Sequence, residues 1–113
     1  MLRDDSVLLD IRKAAGLALE FASGMDLETF LTDAKTQSAV LHQLLLIGEA
    51  AKRLSEKIRL DHPDIPWKRM AGMRDLLIHA YDAVDLEEVW KTTNDDLPDL
   101  LTSLSSIIEN LNV

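Results

Sequence analysis

Apolar residues recur at three- and four-residue steps along most of this chain, a spacing that predicts helices. Arg3–Ala22 reads as a first helix, with Val7, Leu8, Ile11, Ala14, Ala15 and Ala18 on one face and Asp4 or Asp5 placed to cap its start. Gly24 stops it, Asp26 caps a short turn through Leu27–Leu31, and Thr32 or Asp33 opens the next element. The second long helix is expected from about Ala34 to Arg59, because Val40, Leu44, Ile47, Ala51, Leu54 and Ile58 alternate steps of four and three. Leu41, Leu45 and Gly48 form a neighbouring stripe, so this helix should be buried on more than one side. A glycine inside a helix costs about 1 kcal/mol relative to alanine, and Gly48 suits a tight crossing with another helix.

The loop LDHPDIP at 60–66 holds two prolines that discourage helix in the residues before them. Pro66 can open a third helix that ends near Asp82–Val84. Asp85 caps a fourth, which reaches Pro98 and continues to about Leu111 with Leu97, Leu100, Leu101, Leu104, Ile107 and Ile108 on one face. Pro98 should kink that helix or restart it at Asp95 or Asp96. With no repeat and no dividing linker, residues 1–113 read as one all-α domain, an antiparallel four- to five-helix bundle.

Composition agrees. Of 113 residues 47% are hydrophobic but only 4% aromatic, so the core must be aliphatic. No cysteine is present, which removes disulfides, thiolate metal sites and cysteine nucleophiles and fits a reducing cytoplasm. No apolar run approaches the roughly 18–20 residues of a membrane span. The first residues are acidic and amphipathic, unlike a signal peptide, so a soluble, unprocessed protein is expected.

The net charge of -8 argues against a polyanionic partner until its distribution is considered. From Lys52 to Arg74 seven cations face three acids, a block of about +4 inside an acidic chain. Such a block can meet an anionic ligand, or it can simply solvate helix ends.

The chemistry concentrates in Pro66–Tyr81, PWKRMAGMRDLLIHAY. With Arg74 at 0° on a helical wheel, Asp75 falls at about 100°, His79 near 140°, Tyr81 near 340° and Ile78 near 40°. Met70, Met73, Leu76, Leu77 and Ala80 fall at roughly 200° to 320°. One apolar face and one polar face are therefore expected. His79 can exchange protons near neutral pH. Asp75, four residues earlier, can orient the imidazole. Arg74 can hold a phosphate through two parallel hydrogen bonds, and Tyr81 offers a hydroxyl. This set suits metal-independent RNA cleavage, in which a base activates the 2′-hydroxyl against the adjacent phosphate. The plainer alternative pairs Arg74 with an acid on a neighbouring helix and leaves His79 to cap or pack.

The order IGEAAKRL, a loop ending in PW, MRDLLIHAY, then VDLEEVW and DLP resembles the HepT-like branch of the HEPN superfamily, small helical ribonuclease toxins. The close resemblance spans Ile47–Leu100. It implies a homodimer whose two signature helices meet in a composite cleft. Arg74 and His79 fall on the family's catalytic arginine and histidine, and Asp75 on its variable polar position, more often asparagine. Tyr81 falls on the tyrosine that an MNT-type nucleotidyltransferase antitoxin modifies with AMP in type VII-like toxin–antitoxin systems. The substrate implied is messenger or transfer RNA, with no metal or other cofactor. Two facing copies would bring one arginine near the other's histidine, and Ile78 should lie at or beside that interface. The reading from another class is a non-catalytic helical module that binds a nucleotidyltransferase or presents a nucleotide to it.

Other residues carry less. His42 and His62 lack partners at metal-binding spacing and read as surface residues. Glu49 could reach the cationic region as a structural or supporting group. Trp67 and Trp90 are expected to pack beside the signature helix, with base stacking the lesser role.

Overall fold

The computed structural model describes residues 3–79 and 84–110, without the side chains of Met73 and residues 75–79. Among these residues the chain is helical and has no strand. The helices are α1 (Arg3–Ala22), α2 (Leu27–Leu31), α3 (Ala34–Lys52), α4 (Glu56–Asp61), α5 (Trp67–His79), α6 (Leu86–Lys91) and α7 (Leu97–Glu109). A π-helical turn, Thr92–Asp96, joins the last two into one rod. The expected all-α bundle is present, its long members being α1, α3, α5 and the α6–α7 rod.

Helix α3 packs against both α1 and α5, while α1 also packs against α7. The expected α1 face, from Val7 to Ala18, is buried throughout. Its alanines keep that face narrow, so α1 can lie close to α3. Every residue of the predicted α3 seam is buried, from Val40 to Ile58. Full burial of such an aliphatic side chain contributes roughly 1.5–3 kcal/mol, so this seam is the main source of cohesion.

The caps are local and fall where expected. Asp26 accepts from the Thr29 N–H at 2.8 Å, and Asp33 from the Thr36 N–H at 3.1 Å. Asp85 accepts from Glu87 and Glu88, both at 3.1 Å. Gly24 ends α1 with φ +79°, a left-handed conformation that costs glycine little.

Two expectations need correction. The second long helix does not run to Arg59: α3 ends at Lys52, and Ser55 caps the separate α4 by accepting from the Ile58 N–H at 3.3 Å. Asp4 is the reason for the break as much as Ser55. Rather than capping α1, it accepts from the Ser55 N–H at 2.9 Å and the Ser55 hydroxyl at 2.5 Å.

Pro98 marks the restart that was expected: α7 begins at Leu97 with Asp96 as its N-cap. It sits in the first turn of α7, and the strain is absorbed upstream by the π turn, where Leu97 N–H donates to Thr92 O. The side chains of Thr93 and Asn94 donate to Val89 O and Trp90 O, both at 2.9 Å.

The two tryptophans are held by different partners. Trp67 is buried in the first turn of α5 and donates from Nε1 to His62 O at 2.9 Å. Trp90 sets its ring against Phe30 of α2, with centroids 5.2 Å apart.

Acid should loosen the caps. Backbone donation from Thr29 holds the Asp26 carboxyl below its ordinary pKa, and donation from Thr36 does the same for Asp33. A carboxylate with a depressed folded pKa contributes stability above its unfolded value, about 3.9, and loses it as pH falls through the folded value. The Asp26→Asn/Asp33→Asn variant keeps the acceptor oxygens but cannot titrate there. Its urea midpoint should fall less than that of the parent between about pH 5 and pH 2. Equal losses in the two proteins would reject the linkage.

Candidate active site at the crossing of the third and fifth helices

The site is built from two consecutive residues of α3 and one of α5. A Cβ at Gly48 would lie 2.6 Å from Arg74 N, 2.7 Å from its Cβ and 3.1 Å from its Cα. No real side chain tolerates those distances, so glycine is what lets the two backbones meet here. The next residue, Glu49, forms an ion pair through Oε1 with Arg74 Nε. The Arg74 side chain is 32% exposed and that of Glu49 47% exposed, so the pair sits at the rim of the crossing rather than inside it. Such a pair adds at most about 1 kcal/mol to stability, and its main effect is to orient the guanidinium. A guanidinium carries five N–H donors, more than one carboxylate contact consumes.

This corrects the placement of Arg74. The helical wheel puts it on an open polar face, whereas the structure sets it against α3. Trp67 and Met70, near 20° and 320° on the same wheel, are buried as well, so the packed side of α5 is centred on Arg74's side. Its exposed described residues are Lys68, Gly72 and Arg69, near 120°, 160° and 220°. By register Asp75 and His79 share the stripe of Lys68 and Gly72, at steps of four, three and four along α5. His79 follows Arg74 by five residues, about 7.5 Å along the axis.

Asp75, Ile78 and His79 lie in the helical backbone of α5, while the contacts expected of their side chains fall outside the described residues. So does the expected modification site, Tyr81. Glu49 was legible only as a residue able to reach the cationic region, and the signal for its role is the glycine directly before it. His42 is exposed and His62 half-buried in the loop that Trp67 pins. Among the described residues no group of three His, Asp or Glu side chains is disposed to hold a metal ion. No helix among them is long and apolar enough to cross a membrane.

Much of the basic block is consumed by pairing. Arg53 lies 3.8 Å from Asp10, Lys57 2.6 Å from Asp61 and Arg69 3.0 Å from Asp96. The Lys57 ammonium has its pKa raised, and the Asp61 carboxyl has its pKa lowered, by the hydrogen bond between them. Arg59 donates to Ala51 O at 2.7 Å, tying α4 to the end of α3.

A family model described as ribonuclease HepT-like matches residues 11–107, most of the chain. The chain belongs to the HepT-like ribonuclease family. It is 48% identical over 93 residues to the "Probable ribonuclease HepT" of Thermococcus cleftensis, covering 82% of this chain and 84% of that protein. It is 38% identical over 104 residues to "Putative RNase MJ0125" of Methanocaldococcus jannaschii, covering 92% and 90%. A third relative, "Putative RNase TTE0752" of Caldanaerobacter subterraneus, is 36% identical over 91 residues, covering 80% and 81%. No solved structure matches.

The two glycines facing opposite ways on this crossing make a paired prediction. Gly48→Ala must push the helices apart and should destabilise the HepT-like fold by about 2 kcal/mol, the usual cost of overpacking. A Cβ at Gly72 meets nothing within 4 Å, so Gly72→Ala should stabilise by up to about 1 kcal/mol through helix propensity. Urea denaturation of both variants checks the pair. Equal effects of the same sign would overturn this account of the crossing.

Proposed function

We propose that this chain is one helical domain of a metal-independent endoribonuclease toxin, acting in the cytoplasm as a homodimer. The observation that carries the reading is the anchored Arg74, five residues before His79 on one helix of a HepT-like ribonuclease. In the proposed reaction His79 takes the proton of an RNA 2′-hydroxyl. The 2′-oxygen bonds to the adjacent phosphorus as the bond to the 5′-oxygen breaks, and the leaving oxygen takes up a proton. Arg74 offsets the charge on the non-bridging oxygens, and Asp75 orients the imidazole. The RNA is a messenger or transfer RNA.

The geometry of α5 supports the dimer. Arg74 lies on the α3 side, and by register His79 falls about 140° away, on the stripe of Lys68 and Gly72. A second copy, meeting the first near Ile78, would bring its histidine toward this copy's arginine. In the same reading an MNT-type nucleotidyltransferase antitoxin silences the toxin by transferring AMP to the Tyr81 hydroxyl, which blocks the cleft with bulk and negative charge.

RNA incubated with the purified protein in the presence of a chelator should be cut. His79→Ala and Arg74→Ala should each lower the rate by about 100-fold or more, the usual scale for lost proton transfer or charge stabilisation. If parent and His79→Ala protein leave RNA equally intact while both still bind the nucleotidyltransferase, the chain is a non-catalytic partner. Mass spectrometry after co-expression with the antitoxin should find AMP on Tyr81, and transfer confined to another residue would remove the regulatory step.

A further inference from the structure

We infer that the hollow between α4 and the start of α5 binds the phosphodiester backbone of an RNA strand, and that the exposed stripe of α5 leads the strand onward to His79. This rests on the ribonuclease reading above and specifies where its substrate lies.

The hollow is lined by Arg59, Pro63, Ile65, Pro66, Trp67, Lys68 and Arg69. Its charged lining is entirely basic, in a chain whose net charge is -8. Lys68 is exposed and has no ion-pair partner among the described residues. Arg69 is paired with Asp96, but the two side chains are 60% and 37% exposed. Such a pair is weak, and a phosphate can take the guanidinium without uncovering a buried charge. Pro66 precedes α5 and has no polar side chain to cap its first-turn N–H groups, so the positive end of the helix dipole adds to the same potential.

The other side of Arg69 is different. There a cleft of about 230 Å³ carries Asp64, Asp96 and Asp99, and those carboxylates repel a phosphate chain. The strand is therefore confined to the basic side.

Gly72 supplies an independent observation. It is exposed within α5, where glycine is a poor helix former, and nothing in the protomer needs the space. Gly48, by contrast, is required by its crossing. By register Gly72 and Asp75 lie between Lys68 and His79 on one stripe, which spans about 16 Å along the axis, and Gly72 is the member nearer the hollow. Without a side chain at that point, a strand leaving the hollow can run against the helix backbone. Trp67 contributes a buried wall rather than a stacking surface, because only 6% of it is exposed.

Binding can be separated from cleavage in a His79→Ala background, using fluorescence anisotropy of a short fluorescein-labelled RNA single strand over a salt series. Lys68→Ala/Arg69→Ala should bind about tenfold more weakly. The slope of log K against log salt should shrink by about 1.4, two phosphates at about 0.7 each. Gly72→Glu, which places a carboxylate in open space, should weaken binding as well. Lys35→Ala, at the far end of α3, should leave the slope unchanged.

Parental affinity and slope in the double variant would overturn the inference, and cleavage by the unmutated protein would then leave the ribonuclease reading standing. If light scattering shows a changed oligomeric mass at unaltered RNA affinity, the face belongs to a second copy and the inference falls. If the His79→Ala protein binds no RNA and the unmutated protein cuts none, both readings fall.

Discussion

The close approach of α5 to α3 at Gly48 is the constraint on which the site depends. Two effects meet there and differ in size. A Cβ at 2.6 Å from a backbone nitrogen is a hard overlap, and overpacking of that kind costs about 1–3 kcal/mol. The half-exposed Glu49–Arg74 ion pair is worth at most about 1 kcal/mol. Packing therefore decides where the Arg74 backbone sits, and electrostatics only decides how its guanidinium is turned. The consecutive residues Gly48 and Glu49 lie about 100° apart around α3, which lets one admit the helix while the other reaches its side chain.

The remainder of the fold supports that crossing from both ends. Arg59 and the Asp4–Ser55 contacts hold α4 against the end of α3, and Trp67 is pinned to the loop that delivers α5. On the opposite side the π turn sets Asp96 beside Arg69 in the first turn of α5. The turn exists because Pro98 has no N–H to donate and its ring crowds the preceding turn. Thr93, 1% exposed, serves both ends of that problem, filling core space and donating to Val89 O. A polar residue so deeply buried is stable there only because its hydroxyl is satisfied.

What was legible in the sequence was what is local. Asp26, Asp33 and Asp85 cap their own helices within three residues, so neighbouring residue types suffice to find them. The break before Ser55 was hidden because Leu54 and Ile58 continue the seam of α3 on both sides of it. A 3.6-residue period carries no mark of a change in helix axis, and the deciding partner, Asp4, lies 51 residues away. The facing of Arg74 was misread because a helical wheel equates polar with exposed. Gly48 and Glu49 contradict that equation, but their signal belongs to a different segment of chain. His79 kept its predicted register because register depends on α5 alone.

That an acidic protein should act on a polyanion is a matter of distance. At physiological ionic strength the screening length is about 8 Å, so a phosphate senses the charges of one small region and not the sum over the molecule. Within the basic block Arg53, Lys57, Arg69 and Arg74 each face a carboxylate, although that of Arg69 is exposed and exchangeable. Neutralisation of those members concentrates the remaining positive potential at the mouth between α4 and α5. Acidic residues elsewhere then sharpen the contrast, because a strand repelled by Asp64, Asp96 and Asp99 is held to the stripe of α5 that carries His79. The negative total is thus compatible with binding RNA and narrows the ways in which it can lie.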